Sequence, residues 1–269
     1  MASFGAKYIR FNKIVDEPDG QLPVYKDGGA VTLGRLVKAD LTVNLASGKL
    51  YAEDELAESV DEFSSGSLAV ETDDMEDTAA TEVYGCTVTD GEVHFKRGDS
   101  PPMGGLAYYK VLMRKGVKFF KGFFYPRVKA ALGNDTAQTK GDSITFGTTS
   151  TTFTIFGSSS DDWRIWKTFK TENEAREWVD QKLKGKKKAA APTATPAAGA
   201  VASGSTVALA TTTPDAVIRY TTDGSDPTET SPAYSSPIEI TEETTIKAIA
   251  TAEGFAASDV LEAHYTLTE

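Results

Sequence analysis

The sequence predicts a mainly β protein with two domains, each large enough to hold its own core. Short runs rich in Val, Ile, Thr, Phe and Tyr recur along the chain, a pattern typical of strands. Helical periodicity is confined to two short segments. Residues 184–202, rich in Lys, Ala, Pro and Thr, contain no aromatic residue and separate two regions of different composition. We therefore expect a β domain over 1–183, a flexible linker over 184–202 and a smaller β domain over 203–269.

Alternating apolar residues predict the strands of the first domain. Leu41, Val43 and Leu45 alternate with polar residues and are followed by the turn-forming sequence 46–49, which predicts a hairpin into Leu50 and Ala52. Further strands are expected at 66–71, 92–97, 104–114, 117–125, 143–156 and 163–169, with a turn at Lys115-Gly116 between the third and fourth of these.

Two short helices are expected beside these strands. Residues 74–84 begin with acidic side chains, which suit the positive end of a helix dipole. Thr171 and Glu174 form a capping-box pattern at the start of the second helix. Its apolar stripe consists of Ala175, Trp178, Val179 and Leu183. This spacing predicts a helix that packs one face against the sheet.

The region after the linker has strands at the spacing of a β-sandwich. They are expected at 207–211, 217–221, 238–240, 244–250 and 264–267. Asp223-Gly224 and Asp226-Pro227 are typical turn sequences between strands. A calcium site on Asp223 and Asp226 is an alternative that the sequence does not support further.

Charge is distributed unevenly along the chain, whose net charge is −11. Residues 203–269 hold eleven acidic residues and only Arg219 and Lys247 as basic ones. The five lysines between Lys182 and Lys188 form a local basic run. An acidic protein lacks the clustered Lys and Arg that tight nucleic-acid binding requires, so this function class is disfavoured.

Within the first domain, acidic and basic residues are segregated in sequence. Twelve acidic residues and no basic one lie between Glu53 and Glu82, and nine basic residues with one acidic residue lie between Lys96 and Lys129. The two sets either compensate each other's charge within one subunit or mark opposed surfaces that favour head-to-tail contacts. The candidate acidic surface comprises Glu53, Asp54, Glu55, Glu58, Asp61, Glu62, Asp73 and Asp74. The candidate basic surface comprises Lys110, Arg114, Lys115, Lys118 and Lys121.

No catalytic or cofactor motif occurs in the sequence. Phosphate-loop, zinc-protease and nucleophile-elbow patterns are absent, and His94 and His264 fall in different domains. Cys86 is the single cysteine, which excludes an internal disulfide and is typical of a reduced core thiol. No stretch approaches the length of a membrane span, and residues 1–20 lack an apolar signal region. We expect a non-enzyme without cofactor or membrane span, synthesised in a cytoplasm.

Two segments, from Leu50 to Gly85 and from Met113 to Gly157, carry a more specific signal, and their most telling pieces are LYAEDELAES and TAQTKGDSITF. Both segments resemble the major tail protein of long-tailed, non-contractile phages. The resemblance covers most of residues 1–183. It implies a tail-tube β-sandwich or barrel with one or two flanking helices.

The same resemblance implies a structural role in the virion. In that family, subunits form hexameric rings that stack head-to-tail into a tube, with an acidic lumen through which double-stranded DNA passes without specific binding. The implied partners are further copies of the chain, the tape measure protein, the tail terminator and the distal tail proteins. Loops near 133–135 and at Pro101-Pro102 are candidates for contacts between rings, and the acidic set would line the lumen or the stacking surface.

Residues 218–228 (IRYTTDGSDPT) resemble the chitobiase/β-hexosaminidase C-terminal-like module, an immunoglobulin-like sandwich. Residues 231–240 and 244–254 match the same module in order. The resemblance implies a non-catalytic appendage, which would decorate the outside of the tube and contact host-surface glycans weakly. The alternative function is a carbohydrate-binding or surface-adhesion protein whose first part is a display domain. An enzyme with an appended sandwich is a third hypothesis, for which no chemistry-bearing motif is present.

Overall fold

The computed structural model describes residues 2–52, 55–132, 148–228 and 230–268. The chain divides into two compact units, Met1–Gly185 and Lys186–Glu269. The described residues are mainly β in both units, as the sequence predicts.

The first unit contains eleven described strands and two described helices. The strands are β1 (Ala2–Asp16), β2 (Val24–Tyr25), β3 (Val31–Thr32), β4 (Leu36–Ala52), β5 (Glu55–Thr72), β6 (Thr87–Thr89), β7 (Glu92–His94), β8 (Met103–Arg114), β9 (Val117–Ala130), β10 (Thr149–Ile155) and β11 (Ile165–Phe169). The helices are α1 (Asp77–Tyr84) and α2 (Glu172–Lys182).

Nine of these strands form one antiparallel sheet. Its order is β2-β1-β8-β9-β10-β5-β4, while β3 pairs with β1 and β11 pairs with β9. Strand β9 is shared along its length, because Phe120–Phe124 pair with β11 and Val128–Ala130 pair with β10. The sheet therefore branches at β9. One branch continues through β10 to β5 and β4, and the other consists of β11.

Alternation along the central strands produces two separate hydrophobic cores. On β8, Leu106 and Tyr108 join a core that includes Phe11 from β1 and Phe153 from β10. Ala107, Tyr109 and Val111 point to the other face, beneath helix α2. Residues 107, 109 and 111 therefore share one face, and period-two alternation explains why one strand contributes to both cores.

Helix α2 follows its sequence signals closely. Thr171 accepts a hydrogen bond from the backbone of Glu174, and the Glu174 side chain accepts one from the backbone of Thr171, which completes the predicted capping box. Ala175, Trp178, Val179 and Leu183 are buried against β8 and β9, as expected. These contacts fix α2 on the outer face of the sheet.

The predicted hairpin at residues 41–52 is wrong. Strand β4 continues through the Ala-Ser-Gly-Lys sequence to Ala52, and its residues pair with β5 along almost their whole length. Gly48 pairs with Val60 and does not adopt a positive φ, so the sequence 46–49 remains inside the ladder. Cross-strand pairing over many residues outweighs the local turn preference.

The other predicted elements of the first unit are largely confirmed. Helix α1 begins at Asp77 and ends at Tyr84, and Gly85, with φ of 72°, provides a left-handed C-cap. Lys115 and Gly116 form the expected tight turn between β8 and β9, both with positive φ. Strand β10 is shorter than the predicted 143–156, and residues 143–147 lie outside the described residues. The long strand β1 was not predicted, because its charged residues hide the alternation.

The second unit is an immunoglobulin-like β domain. Its strands are β12 (Thr193–Thr195), β13 (Gly199–Val201), β14 (Ser205–Ala210), β15 (Val217–Thr221), β16 (Ile238–Ile240), β17 (Thr244–Thr251) and β18 (Leu261–Leu267). They form a three-stranded sheet, β12-β14-β16, and a four-stranded sheet, β13-β18-β17-β15. All five strands expected in this unit are present.

The flexible linker predicted at 184–202 is corrected by the structure. Strand β12 pairs with β14, β13 pairs in parallel with β18, and Ala189 is buried in the core of the second unit. The boundary between the units falls between Gly185 and Lys186. Small Ala and Thr side chains are compatible with edge strands, so weak apolar patterning did not mean an unpaired backbone.

Candidate assembly surfaces

The β4–β5 pair extends well past the rest of the sheet. Strand β10 pairs with β5 only over residues 66–72, whereas β4 and β5 stay paired as far as Ala52 and Glu55. We call residues 44–52 and 55–65 the distal ribbon. Along the distal ribbon, neither outer edge pairs with another strand in the part of the chain that the structure describes.

An apolar row on β4 runs from the core into the distal ribbon and becomes exposed to solvent along the way. Leu41 lies against the core, Val43 is 38% exposed and Leu45 is 55% exposed. Leu45 pairs with Phe63, whose ring stacks on Trp163 at a centroid distance of 4.3 Å. On the other face of the ribbon Val60 is 53% exposed. A two-stranded ribbon with exposed apolar residues and unpaired edges is marginally stable alone and suits a protein partner.

The candidate acidic residues do not form one surface. Glu53 and Asp54 lie outside the described residues, and Glu55 and Glu58 lie in β5 near the end of the ribbon. Asp61 and Glu62 are exposed on the distal ribbon and, as neighbours in a strand, point to opposite faces. Asp73 and Asp74 follow the opposite end of β5.

Asp73 and Asp74 are held by the backbone next to helix α1. Asp73 accepts hydrogen bonds from the backbone of Arg35 at 2.7 Å and of Asp74 at 2.9 Å. The Arg35 backbone bond is the main reason that the pKa of Asp73 is lowered, and the Arg35 guanidinium adds to it. About twelve residues at ~3.3 Å each separate Asp61 from Asp73 along β5, so the two acidic groups are roughly 40 Å apart.

The candidate basic residues also divide into two groups. Arg114, Lys115 and Lys118 are exposed around the β8–β9 turn, together with Val117, which is 55% exposed. We call residues 114–118 the basic turn. By the pairing of β9 with β10 and of β10 with β5, the distal ribbon and the basic turn extend toward the same end of the sheet. Asp73 and Asp74 lie at the other end.

Lys110 and Lys121 lie opposite each other on β8 and β9, away from the turn. Both ammonium groups contact the Phe123 ring, at 4.9 and 5.5 Å from its centroid, and the Arg164 guanidinium lies 4.8 Å from the same ring. Desolvation, followed by the positive charges of Arg164 and Lys121, lowers the pKa of Lys110. The aromatic face compensates part of this repulsion.

Sequence reasoning missed Arg164 and Trp166 as members of this basic cluster. Lys121 lies 4.4 Å and Arg164 5.1 Å from the Trp166 ring, which is 55% exposed. They come together because β11 pairs with β9 across some forty residues of sequence. The alternation of Arg164 and Trp166 at the start of a predicted strand was the available signal.

The loops expected to contact a neighbouring ring are only partly described. Residues 133–135 lie outside the described residues. Pro101 is buried and Pro102 is half-buried, close to the Gly85 cap of helix α1. This packing makes the Pro101-Pro102 loop part of the domain structure, with limited surface for a contact.

The residues considered for chemistry have structural partners. Asp223 accepts hydrogen bonds from the backbone and hydroxyl groups of Ser225, and Asp226 forms an ion pair with Lys247 at 2.8 Å. No cluster of three potential metal-ligating side chains occurs among the described residues. Cys86 is a buried thiol, and burial raises its pKa. Among the same residues, no helix has the length and apolar character needed to cross a membrane.

The sequence of the second unit matches a known domain family. Residues 196–262 match the family model of the chitobiase/β-hexosaminidase C-terminal domain. The match covers strands β13 to β17 and the start of β18, and it includes β13, which the sequence alone assigned to the linker. This domain is a non-catalytic, immunoglobulin-like module. No curated protein matches the chain.

Proposed function

We propose that the chain is a structural subunit of a phage tail tube, which forms hexameric rings that stack head-to-tail around a lumen for genomic DNA. The proposal is supported by the resemblance of residues 50–85 and 113–157 to phage major tail proteins. It is also supported by the mainly β fold of the first unit and by its two short helices, both among the described residues.

The observation that carries the proposal is the distal ribbon. Its backbone edges and the exposed side chains of Leu45 and Val60 lack a covering element among the described residues. Addition of strands from neighbouring copies would pair these edges and bury the apolar row, and closure into a ring removes free edges altogether. Such an edge favours pairing with a strand of another chain, and a second copy is always present.

The proposed setting follows from this role. The protein would reside in the virion tail after synthesis in the host cytoplasm, with the tape measure, tail terminator and distal tail proteins as partners. The distal ribbon, with the acidic side chains of Asp61 and Glu62, would repel phosphate and let double-stranded DNA pass without binding. The chain would act without catalysis or cofactor, and the second unit would decorate the tube.

A carbohydrate-binding or adhesion protein is the alternative, favoured by the match of the second unit to a domain of glycan-processing enzymes. Tyr220 and Tyr234 form an edge-to-face pair at 6.2 Å and are half-buried. Aromatic rings of this kind provide the apolar faces against which sugars pack. Co-sedimentation of residues 186–269 with host cell wall tests this function, and recovery no higher than in buffer rejects it.

Negative-stain electron microscopy of the purified full-length chain tests the tube proposal. At high protein concentration, we expect six-fold rings and hollow tubes of constant diameter. The number of tubes should depend on concentration and salt, because exposed charges and apolar contacts hold the subunits together. Monodisperse small particles at every concentration, also after addition of pre-formed tail tips, would reject the proposal.

A further inference from the structure

The end of the sheet that lies opposite the basic turn contains an open groove. Its cavity has a volume of about 470 Å³ and lies between α1, the segment after β7 and the start of β10. Met75, Tyr84, Phe95 and Leu132 provide its apolar surface. Phe95 is 59% and Leu132 is 57% exposed, so large apolar side chains face solvent here. We call this cavity the rim groove.

The edge of the rim groove is acidic. Asp74 and Asp99 line it together with Lys96, and Asp73 lies next to Asp74. Asp99 accepts a hydrogen bond from the Lys96 backbone at 2.6 Å, and Asp74 accepts one from the Met75 backbone at 2.8 Å. Each carboxylate is therefore fixed in place. The groove combines an apolar floor with oriented negative charges at its margin.

The basic turn has the complementary features. Val117 projects an exposed apolar side chain, and Arg114, Lys115 and Lys118 surround it with positive charge. Lys115 has φ of 49° and Gly116 has φ of 79°, values typical of the tight two-residue turn that matches strand twist. Such a turn is rigid, so little conformational entropy is lost when it docks.

The groove and the turn lie at opposite ends of the same hairpin. Strand β8 begins at Met103, shortly after the groove-lining residues Phe95 and Asp99, and ends at Arg114 beside the turn. It spans 12 residues. At ~3.4 Å per residue this places the two features roughly 40 Å apart, so one subunit cannot join its own turn to its own groove. A contact between them therefore joins two copies, and copies stacked along the hairpin in one direction make it heterologous and head-to-tail.

We propose that the basic turn of one copy inserts into the rim groove of a second copy, with Val117 against Phe95 and Leu132 and the cations against Asp74 and Asp99. This contact rests on the proposed function and specifies how one ring stacks on the next. It leaves the distal ribbon available for lateral contacts within a ring. The direction of the β8–β9 hairpin then determines the direction in which the subunits stack.

Charge reversal in the full-length chain tests the contact. Arg114→Glu with Lys118→Glu should leave rings but raise the concentration threshold for tubes at least tenfold. Asp74→Lys with Asp99→Lys should have the same effect. A mixture of rings that were assembled separately from each variant should restore tubes near the wild-type threshold, because each turn meets a groove of opposite charge where the two kinds of ring alternate. Lys184→Glu with Lys186→Glu is the matched control and should assemble like the wild type.

The outcomes separate this contact from the proposed function. Tubes at the wild-type threshold from the turn variant would overturn the contact but not the tube proposal. A wild-type chain that forms neither rings nor tubes would reject both. The turn residues are exposed, so the turn variant should fold, and circular dichroism checks this.

A positive measurement complements charge reversal. In a Cys86→Ala background, Val117→Cys with Leu132→Cys should give a ladder of disulfide-linked oligomers when assembled tubes are oxidised. Val117→Cys alone should give no species larger than a dimer. A double variant that stays monomeric after oxidation of intact tubes would overturn the proposed contact.

Discussion

Gly122 determines how closely helix α2 approaches the sheet. A Cβ atom at this position would lie 2.6 Å from Cε3 and 2.7 Å from Cζ3 of Trp178, well inside van der Waals contact. Trp178 is rigidly packed beside Phe169. Helix α2 can therefore pack this closely against β9 only because this strand position has no side chain.

We expect Gly122→Ala to lower the free energy of unfolding of the first unit by about 1–3 kcal/mol, because it overpacks this site. All three tryptophans lie in the first unit, so tryptophan fluorescence during denaturant unfolding reports on it selectively. Gly157→Ala is the control, since nothing lies within 4 Å of the added atom. Equal stability of the two variants would contradict this packing argument.

Glu82 links helix α1 to strand β1 and to the segment after β2. Lys13 lies 3.2 Å and Lys26 lies 3.1 Å from its carboxylate. Burial favours the neutral acid, but the hydrogen bonds and charges of Lys26 and Lys13 outweigh burial, and the pKa of Glu82 is lowered. The ionised form is therefore stabilised in the folded protein.

A lowered pKa gives a stabilisation that is present above the unfolded-state pKa and lost as pH falls through the folded-state pKa. We expect Glu82→Gln to cost about 1 kcal/mol at pH 7 and to approach the wild type at pH 3. Denaturant midpoints at the two pH values measure this. Glu76→Gln is the control, because Glu76 makes no side-chain cap hydrogen bond to α1. A Glu82→Gln deficit that is unchanged at pH 3 would contradict the ion-pair explanation.

For single residues, structural features that depend on only a few neighbours in sequence were predictable. The Thr171 capping box and the Lys115-Gly116 turn depend on local backbone geometry and are present as expected. The cluster around Phe123 was only partly predictable, because Arg164 reaches it through pairing of β11 with β9. Long-range register is not encoded in any short window of sequence.

Among the elements, the β4–β5 pair departs most from its sequence pattern. The Ala-Ser-Gly-Lys sequence favours a turn, yet Lys49 and Gly48 pair with Ser59 and Val60 in a continuous ladder. Two strands of 17 and 18 residues exceed the usual strand length, and their outer halves extend beyond β10. Local turn chemistry cannot reveal such a ribbon, because cross-strand pairing decides it.

The distal ribbon leads to a prediction about assembly. If Leu45 packs against a neighbouring copy, Leu45→Lys should raise the threshold for ring formation at least tenfold and leave the melting temperature of the first unit nearly unchanged. Val37→Lys is a matched control on the same strand, since Val37 is 54% exposed and Leu45 is 55% exposed. Negative-stain microscopy over a concentration series measures the threshold. Rings from Leu45→Lys at the wild-type threshold would argue against a role of the ribbon in assembly.

For the whole molecule, the division into two units changes the interpretation of residues 184–202. The basic and Ala/Pro-rich composition predicts a linker, yet residues 193–195 and 199–201 are strands of the second unit. Thr268 also donates a backbone hydrogen bond to Val201, which ties β13 to the end of β18. Four of the five strands expected from the sequence lie within the match over residues 196–262, and the fifth, at 264–267, follows it. Their apolar patterning made these strands recognisable. Edge strands made of small residues carry too little hydrophobic signal to be recognised.

This boundary determines where the chain can be cut. The first unit has two cores of its own, and the second has a separate core that includes Ala189. A chain that ends at Gly185 removes the whole second unit, whereas a cut at residue 202 leaves β12 and β13 without their partners β14 and β18. Unpaired edge strands promote non-specific association.

We therefore expect residues 1–185 to form tubes at the wild-type threshold, and residues 1–202 to form irregular aggregates together with tubes. The distal ribbon, the basic turn and the rim groove all lie within residues 1–185, so the truncated chain keeps every proposed contact. Electron microscopy and pelleting of both truncations measure this, with the full-length chain as control. Soluble, folded residues 1–185 that form no tubes would place the second unit in the assembly interface and contradict its proposed role as decoration.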